Sequence, residues 1–590
     1  MRGSEATGSG GAQRWYLSTL AMASFGSLAM WLALPPFDFW PLAWVAPMFW
    51  LALVRRPSLD GSRPYLKIYL AGFLFWLATI HWLTLPHPAA SLGWIGLSWY
   101  LGFYVPLFVA ISRLAVHRLK VPLFVAAPVV WTALEVVRAH FGGGFLMAAL
   151  GHTQYHWITV IQISDLVGAY GVSFVIMLVA ACLTEMLPIA GRSLSLRPLI
   201  PLTIALAAVL LYGYQRQSDS AESGSPAADE VVQVGPTIAL VQGSIDTEFG
   251  GDIAARQRRI YEQYKGLTAQ ALRDAEHQKT KIDLVVWPES MYPLPVVFVD
   301  DIDHDEAVGA TDSDESNPAS VDPHQSEEDI ALQNIHRAVT DIARTAFGYQ
   351  RGSAGIGTNI LFGADTASFD NGSKKPRYYS TSLLVDSSGS LVNKYNKMHP
   401  VMFGEYVPLG GFFPSLYRLT PLRGGLSAGD HPVAFTVGGV TVAPNICYET
   451  VIPHLIRRQV AELTEYGQEP AVLITQTNDG WFWGSAALDM HLICGVFRAV
   501  ECRKPLLIAA NTGISAWIDA DGRLVEQCGK RKQQVIVARP KIDERRSLYV
   551  RGGDWFGWSC VLLTALVVPL GRREKKKAEM ACEIEGETSG

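Results

Sequence analysis

The sequence predicts a multi-pass α-helical membrane domain joined to a layered α/β domain. Residues 15–215 are mostly apolar and carry few charges, which is typical of membrane helices. Residues 216–550 have the composition of a soluble protein, with short β-rich runs between amphipathic stretches. Residues 554–571 are apolar again. Since 590 residues are too many for one ordinary domain, these changes in composition mark separate domains.

The apolar regions are divided into candidate membrane spans. A bilayer core requires about 20 apolar residues in each spanning helix. An N-terminal tail (1–14) precedes a membrane domain (15–216) of about seven helices, and the last span lies at 554–571. We place the seven spans at about 15–34, 37–54, 66–85, 93–114, 121–138, 160–187 and 198–214. Prolines interrupt the second and fifth spans. Membrane helices tolerate such prolines when neighbouring helices bind the backbone groups that the proline leaves without a hydrogen bond.

Basic residues in alternate loops predict the orientation of these spans. Lys and Arg follow the second, fourth and sixth spans, and the tail 572–590 begins Arg-Arg-Glu-Lys-Lys-Lys, whereas the intervening loops contain no Lys. This pattern places both termini in the cytoplasm and the α/β domain outside, on the opposite side of the membrane. A cleaved signal peptide at 1–34 is less favoured, because the later loops predict the same orientation independently.

The soluble region divides into a linker (217–235) and an α/β domain (236–545). Its predicted strands are 237–242, 282–287, 360–364, 379–386, 433–437, 440–444, 471–476, 506–510, 515–519 and 534–539. Turn sequences at 386–389, 437–440 and 519–522 predict hairpins. Amphipathic stretches at 252–276, 329–346 and 485–503 predict helices. Such a mixture is typical of β-sheets with helices packed outside.

Several functional classes have little support in the sequence. The net charge of −5 includes no strong basic region, so we expect no nucleic-acid partner. The seven cysteines show no spacing typical of a zinc site or a disulfide framework, and no metal or cofactor is expected. The acidic insertion 300–329 holds twelve Asp or Glu and no Lys or Arg, so we expect a disordered surface segment. Its spacing does not fit a calcium-binding loop.

Three side chains from distant parts of the soluble region suit acyl transfer. Cys447 and Glu289 each follow an apolar run, and the ends of parallel strands converge at one edge of a sheet. A helix predicted at 450–458 and a nearby Lys397 would favour the Cys447 thiolate. A carboxylate within reach can accept the thiol proton and return one to a leaving group. Lys397 and the backbone N–H of Tyr448 are candidates to stabilise an oxyanion.

The motifs around these residues resemble those of a known family. Glu289 lies in Val-Val-Trp-Pro-Glu-Ser (285–290), Lys397 in Lys-Tyr-Asn-Lys-Met-His (394–399), and Cys447 in Pro-Asn-Ile-Cys-Tyr-Glu-Thr (444–450). In this order they resemble the Glu-Lys-Cys signature of the nitrilase superfamily, which implies an αββα sandwich. The eight predicted spans and Phe-Gly-Glu-Tyr-Val-Pro (403–408) are similar to the bacterial apolipoprotein N-acyltransferase family.

The resemblance implies a role for each motif residue. Glu289 resembles the family's general base, Lys397 its oxyanion-stabilising lysine and Cys447 its nucleophile. Glu405 resembles a second carboxylate that holds the lysine and assists proton transfer. Tyr448 and Glu449 resemble the family's supporting residues after the nucleophile, with roles in site geometry and acyl transfer.

The resemblance also implies a reaction. In a ping-pong mechanism, a phospholipid, expected to be phosphatidylethanolamine, gives a fatty acyl chain to Cys447 as a thioester. The α-amino group of the diacylglyceryl cysteine at the N-terminus of a lipoprotein, exposed after signal-peptide removal, then accepts it as an amide. Two alternatives remain: a membrane-tethered nitrilase-type amidase that uses water as acceptor, and a multi-pass transporter with an extracytoplasmic domain.

Overall fold

The computed structural model of the protein describes residues 18–189, 193–222, 234–247, 252–300, 326–352, 356–370, 375–419, 422 and 424–588. The predicted N-terminal tail and residues 301–325 of the acidic insertion lie outside the described residues. So do residues 223–233 of the predicted linker.

The N-terminal region is a bundle of apolar helices. They are α1 (Thr19–Ala33), α2 (Ala46–Arg55), α3 (Pro64–Thr79), α4 (Ala90–Gly102), α5 (Tyr104–His117), α6 (Leu123–His140), α7 (Ile158–Ile161), α8 (Ser164–Val167), α9 (Ala169–Met186) and α10 (Leu199–Glu222). Within the described ranges, five helices are long and apolar enough to cross a membrane: Ala90–His117, Leu123–Gly143, Ala169–Met186, Leu199–Asp219 and Trp555–Glu574. Because α1, α2 and α3 have only 15, 10 and 16 residues, the number of eight spans stays a prediction.

Two boundaries differ from the sequence-based expectation. The predicted sixth span is broken, because Gly168 has a φ of +71° and separates α8 from α9. Helix α10 continues to Glu222, six residues into the predicted linker. Two contacts hold the start of this continuation against the bundle: Arg216 donates from Nε to Asp165 over 2.9 Å, and Gln217 donates to the hydroxyl of Thr159 over 3.0 Å.

The soluble region contains two β-sheets. Its strands are β1 (Ile238–Gln242), β2 (Leu284–Val286), β3 (Tyr292–Asp300), β4 (Asn359–Asp370), β5 (Arg377–Val385), β6 (Leu391–Asn396), β7 (Phe435–Val437), β8 (Val440–Ile446), β9 (Val472–Thr477), β10 (Leu506–Ala510), β11 (Ala516–Ile518), β12 (Leu524–Gln527) and β13 (Gln534–Ala538). The first sheet has the order β13-β1-β2-β4-β5-β6, with β3 also paired to β4, and the second has the order β12-β11-β10-β9-β8-β7. The neighbours β1, β2 and β4 run parallel, as do β8, β9 and β10.

Helices cover both sheets on their outer faces. The remaining helices are α11 (Ile253–His277), α12 (Glu327–Gly352), α13 (Pro453–Glu465), α14 (Ala486–Cys502), α15 (Leu548–Gly552) and α16 (Trp555–Thr588). One core lies between the sheets, a second joins α11 and α12 to the first sheet, and a third joins α13 and α14 to the second sheet and to the membrane helices. The predicted fold class is therefore confirmed: an αββα sandwich of the nitrilase type beside a bundle of apolar helices.

A buried ionic network fixes the sandwich to the helical bundle. Asp165 of α8 accepts hydrogen bonds from Arg216 of α10 and, over 2.8 Å, from Nε of Arg503 at the end of α14. Arg503 also donates to Gln162 over 2.6 Å and lies 3.2 Å from Asp521. Because breaking a buried ion pair costs about 3–5 kcal/mol, this network holds the two parts in a fixed relative position.

Candidate active site

Three strand ends bring the predicted site residues to one edge of the sandwich. Glu289 follows β2, Lys397 follows β6 and Cys447 follows β8. Since β4 is antiparallel to β5, and β5 to β6, strand β6 runs in the same direction as β2 and β4. All three side chains therefore leave the carboxyl ends of their strands, where α/β proteins place their sites.

Two backbone segments, one in β4 and one in the turn after β2, approach each other closely beside Glu289. A Cβ atom on Gly363 of β4 would clash with the carbonyl oxygen of Pro288 and would lie 2.7 Å from the Cα of Glu289. Glycine is therefore required at this point of β4, because no side chain fits between the two backbones. The backbone N–H of Asn478, at the end of β9, donates to Oε2 of Glu289 over 3.1 Å and orients the carboxylate.

Lys397 lies between two carboxylates. Its Nζ is 3.0 Å from Oε1 of Glu289 and 2.6 Å from Oε1 of Glu405, and its side chain is 1% exposed. Glu405 is held in turn by the backbone N–H of Val401, which donates to Oε2 over 2.7 Å. The arrangement combines a basic oxygen and a fixed positive charge in one buried cluster.

Burial controls the protonation of the cluster. It raises the pKa of Glu289 above its ordinary value, although Lys397 and a hydrogen bond with the Cys447 thiol act in the opposite direction. Burial opposes a charged Lys397, but Glu289 and Glu405 outweigh it and raise the pKa of the ammonium well above its usual range. Lys397 is therefore protonated at neutral pH.

Lys397 favours the Cys447 thiolate, as the sequence predicts, but burial favours the protonated thiol more strongly. Burial raises the pKa of Cys447 well above its usual range, and the Glu289 carboxylate raises it further, while Lys397 offsets only part of this. Cys447 is the first residue of a short 3₁₀ helix (Cys447–Val451), and α13 begins only at Pro453. The helix predicted at 450–458 thus begins further from the thiol than expected, so its positive end acts more weakly. Cys447 needs a base to remove its proton.

The backbone of Cys447 is in an unusual conformation. Its φ is +53°, in the left-handed region that residues with a side chain rarely adopt. Strained nucleophile turns of this kind expose a side chain at the end of a strand. Of the other described cysteines, those at 182, 494, 502, 528 and 560 are buried, whereas Cys447 is half-buried. Cys447 is thus the least buried of these cysteine residues.

Glu449 connects the segments that carry Lys397 and Cys447. Its carboxylate accepts hydrogen bonds from the backbone N–H of Met398 over 2.7 Å and from that of Ile446 over 2.6 Å. The hydroxyl of Tyr395 donates to it over 2.9 Å. The side chain is fully buried and does not contact the Cys447 thiol in any described hydrogen bond. Its contacts fix the spacing of the two segments.

Tyr448 connects the site to the helical bundle. Its hydroxyl donates to the carbonyl oxygen of Gly144 over 2.7 Å, and Nε2 of His399 lies 2.8 Å from the carbonyl oxygen of Gly143. Both glycines follow α6. The turn after Lys397 and the turn containing Cys447 therefore lie against the helical bundle.

A cleft opens beside the two glutamates. It has a volume of about 370 Å³ and is lined by Glu289, Glu405, Asp365 and Trp481 together with both polar and apolar residues of the surrounding loops and of α11. Cys447 is not among the lining residues, so the cleft reaches the cluster from the side of the carboxylates.

Sequence reasoning missed a second set of residues near Cys447. His491 of α14 places Nε2 3.0 Å from the carbonyl oxygen of Cys447 and Nδ1 3.2 Å from Oδ1 of Asp479. Asp479 lies in the segment Asn-Asp-Gly-Trp-Phe (478–482), directly after β9. His491 occupies an apolar helical pattern, which does not distinguish it from a core residue.

Comparisons with known proteins agree with this architecture. The family model described as Apolipoprotein N-acyltransferase N-terminal domain matches residues 26–182, and the one described as Carbon-nitrogen hydrolase matches residues 237–548. The Apolipoprotein N-acyltransferase of Rhodopirellula baltica is 33% identical over 563 residues, covering 91% of this chain and 94% of that protein. The one of Geobacter metallireducens is 28% identical and covers 94% of this chain and 95% of its own length. Among solved structures, Saccharomyces cerevisiae Nit3, a member of branch 10 of the nitrilase superfamily, is 16% identical, covering 55% of this chain and 96% of its own with a TM-score of 0.33.

One relative is a third identical over nearly the whole chain, and family models match both of its parts. The chain is therefore an enzyme of the apolipoprotein N-acyltransferase family, with a membrane domain and a carbon–nitrogen hydrolase domain.

Proposed function

We propose that the protein transfers a fatty acyl chain from a phospholipid to the α-amino group of the N-terminal diacylglyceryl cysteine of lipoproteins. The observation that carries this proposal is the Glu289–Lys397–Cys447 cluster, which lies directly against the bundle of apolar helices through Tyr448. A lipid can reach such a site from the bilayer while a protein acceptor approaches from the aqueous side. Membership of an acyltransferase family leaves no support for the transporter.

The first half-reaction acylates Cys447. Glu289 takes the proton of the thiol, and the sulfur attacks the ester carbonyl of the phospholipid. The carbonyl oxygen becomes an oxyanion, which the Lys397 ammonium stabilises. When the carbon–oxygen bond of the ester breaks, Glu289 returns its proton to the alkoxide, and a lysophospholipid leaves. Glu405 keeps Lys397 charged and in place throughout.

The second half-reaction transfers the acyl chain. Glu289, again ionised, accepts a proton from the α-amino group of the acceptor as the nitrogen attacks the thioester carbon. Collapse of the second oxyanion breaks the carbon–sulfur bond, and the sulfur takes the proton back. The product is an amide and the free thiol. Thiolate is a better leaving group than alkoxide, so aminolysis of the thioester is favourable.

The proposed location rests on the distribution of Lys and Arg among the loops of the sequence. We place the α/β domain in the periplasm and both termini in the cytoplasm, in accordance with the basic loops. Phosphatidylethanolamine is the proposed donor, and the acceptor is a lipoprotein whose signal peptide has been removed.

A two-substrate assay tests the proposal. Purified full-length protein is incubated with phosphatidylethanolamine labelled in its acyl chains and with a synthetic diacylglyceryl-cysteinyl peptide. The proposal predicts labelled peptide with an alkali-stable amide, and none with a matched peptide whose α-amino group is acetylated. Label released only as free fatty acid, with no labelled peptide, would contradict it and would support the amidase.

A further inference from the structure

His491 of α14 lies next to the proposed nucleophile, against the turns that follow β8 and β9 of the second sheet. The residue is 6% exposed, and its ring contacts the turn after β8 through Cys447 and the turn after β9 through Asp479. No step of the proposed reaction uses His491 or Asp479.

Both ring nitrogens of His491 face hydrogen-bond acceptors. The carbonyl oxygen of Cys447 can only accept a hydrogen bond, so Nε2 must carry a hydrogen. An ionised carboxylate also only accepts, so Nδ1 must carry one too. Oδ1 of Asp479 also accepts a hydrogen bond from the hydroxyl of Thr477 over 3.2 Å. This geometry describes an imidazolium paired with a carboxylate.

The surrounding charges favour the same state. Asp479 and Glu289, both negative, are the charged groups that act most strongly on His491. Burial opposes a charged ring, but the charge of Asp479 and the hydrogen bonds to Asp479 and Cys447 outweigh it and raise the pKa of His491.

We infer that His491 is a positioning residue, held as an imidazolium by Asp479, that fixes the left-handed backbone of Cys447 and directs positive charge toward it. The hydrogen bond to the Cys447 carbonyl holds the conformation with φ +53° in which the thiol meets Glu289. The charge of His491 adds to that of Lys397 in favouring the thiolate when Glu289 takes the proton. The inference depends on the proposed function only in taking Cys447 as the nucleophile.

The protonation state is measured directly by nuclear magnetic resonance. The ring nitrogens of full-length protein labelled with ¹⁵N-histidine are followed from about pH 5 to about pH 9, on both sides of the ordinary histidine pKa of about 6.5. The inference predicts one ring that keeps both nitrogens protonated to a higher pH than an ordinary histidine does. This signal should be absent in His491→Gln, and in Asp479→Asn the ring should lose its proton at a lower pH than in the wild type. A His491 ring that becomes neutral at or below the ordinary pKa would overturn the inference. This readout requires no acyl transfer, so its failure is distinct from failure of the proposed function.

The effect on the thiol is measured by alkylation. The rate of iodoacetamide modification of the Cys447 peptide is followed by mass spectrometry at one pH, about 9, which lies below the raised pKa of the thiol. In His491→Gln this rate is expected to fall about tenfold, because Asp479 remains as an uncompensated negative charge that disfavours the thiolate. The double variant Asp479→Asn/His491→Gln should recover most of the lost rate. A folded His491→Gln protein with an unchanged alkylation rate would overturn the inference, because a purely structural contact would not carry charge.

Discussion

Nζ of Lys397 lies 3.0 Å from Oε1 of Glu289, so the proposed base and the proposed oxyanion donor form one buried ion pair across 108 residues of sequence. The pair cannot be treated as two independent groups, because each sets the protonation of the other. Glu405 is the third member, and it leaves the cluster one negative charge when all three groups are ionised.

Removing the positive charge should stop catalysis. Lys397→Met keeps the length of the side chain but leaves Glu289 and Glu405 without their cation, so we expect one of them to bind a proton. Loss of the oxyanion donor alone is expected to lower kcat by about 10²–10³. The measurement is the initial rate of acyl-enzyme formation, with the thermal unfolding midpoint as a control for folding. Near-normal turnover of a folded Lys397→Met protein would show that Lys397 does not stabilise the oxyanion.

The rate of acylation should depend on pH through Glu289. The base must be ionised to accept the thiol proton, and its pKa is raised above the ordinary value of 4.5. The rate is therefore expected to fall as the pH decreases through this raised pKa, by about tenfold per pH unit below it. The check is a pH–rate profile of acyl-enzyme formation under single-turnover conditions. In Glu289→Gln this acid limb should be absent and the remaining rate low; an unchanged limb would assign it to another group.

Glycine at position 363 should be required for activity. In Gly363→Ala the new methyl group meets the backbone of Pro288 and Glu289, so the carboxylate must move away from Lys397. Because displacement of about 1 Å can cost about 10²-fold in rate, we expect a loss of that order. The matched control is Gly266→Ala in α11, where a Cβ meets nothing within 4 Å and a helix gains stability. Equal activity of the two variants would contradict the close approach.

Glu449 is expected to act on structure rather than on chemistry. In Glu449→Gln the amide NH₂ group would face N–H donors that now contact a carboxylate oxygen. Leaving such a donor unsatisfied costs about 1–3 kcal/mol, so the midpoint of chemical denaturation should fall. Tyr395→Phe, which removes only one donor to the same carboxylate, serves as the milder control. If Glu449→Gln is as stable as the wild type but inactive, Glu449 has a chemical role instead.

The strand-end positions of Glu289 and Cys447 could be predicted because each follows an apolar run that only a buried strand explains. Lys397 was predicted only from its motif. The sequence does not predict its strand, β6, because Leu391–Asn396 lies at the edge of the sheet and Tyr395 is its only buried residue. Edge strands lack the continuous apolar pattern of central ones.

Other features depend on contacts that a linear pattern cannot reveal. The protonated thiol of Cys447 results from burial, which outweighs the nearby cation, and the extent of burial is known only after folding. The helical pattern around His491 does not indicate a role for this residue, because its contact with Asp479 forms only when the chain folds. The end of α10 could not be predicted for the same reason, since Arg216 forms its hydrogen bond with Asp165, 51 residues earlier in the chain.

The covalent intermediate tests the central claim most directly. Purified protein is incubated with acyl-labelled phosphatidylethanolamine alone, digested and analysed by mass spectrometry, with and without hydroxylamine. We predict one fatty acyl group on the peptide containing Cys447, released by hydroxylamine as a thioester should be, and its absence in Cys447→Ser. Stable transfer to the acceptor peptide by a protein that never carries this adduct, or an acyl group on another residue, would contradict the account.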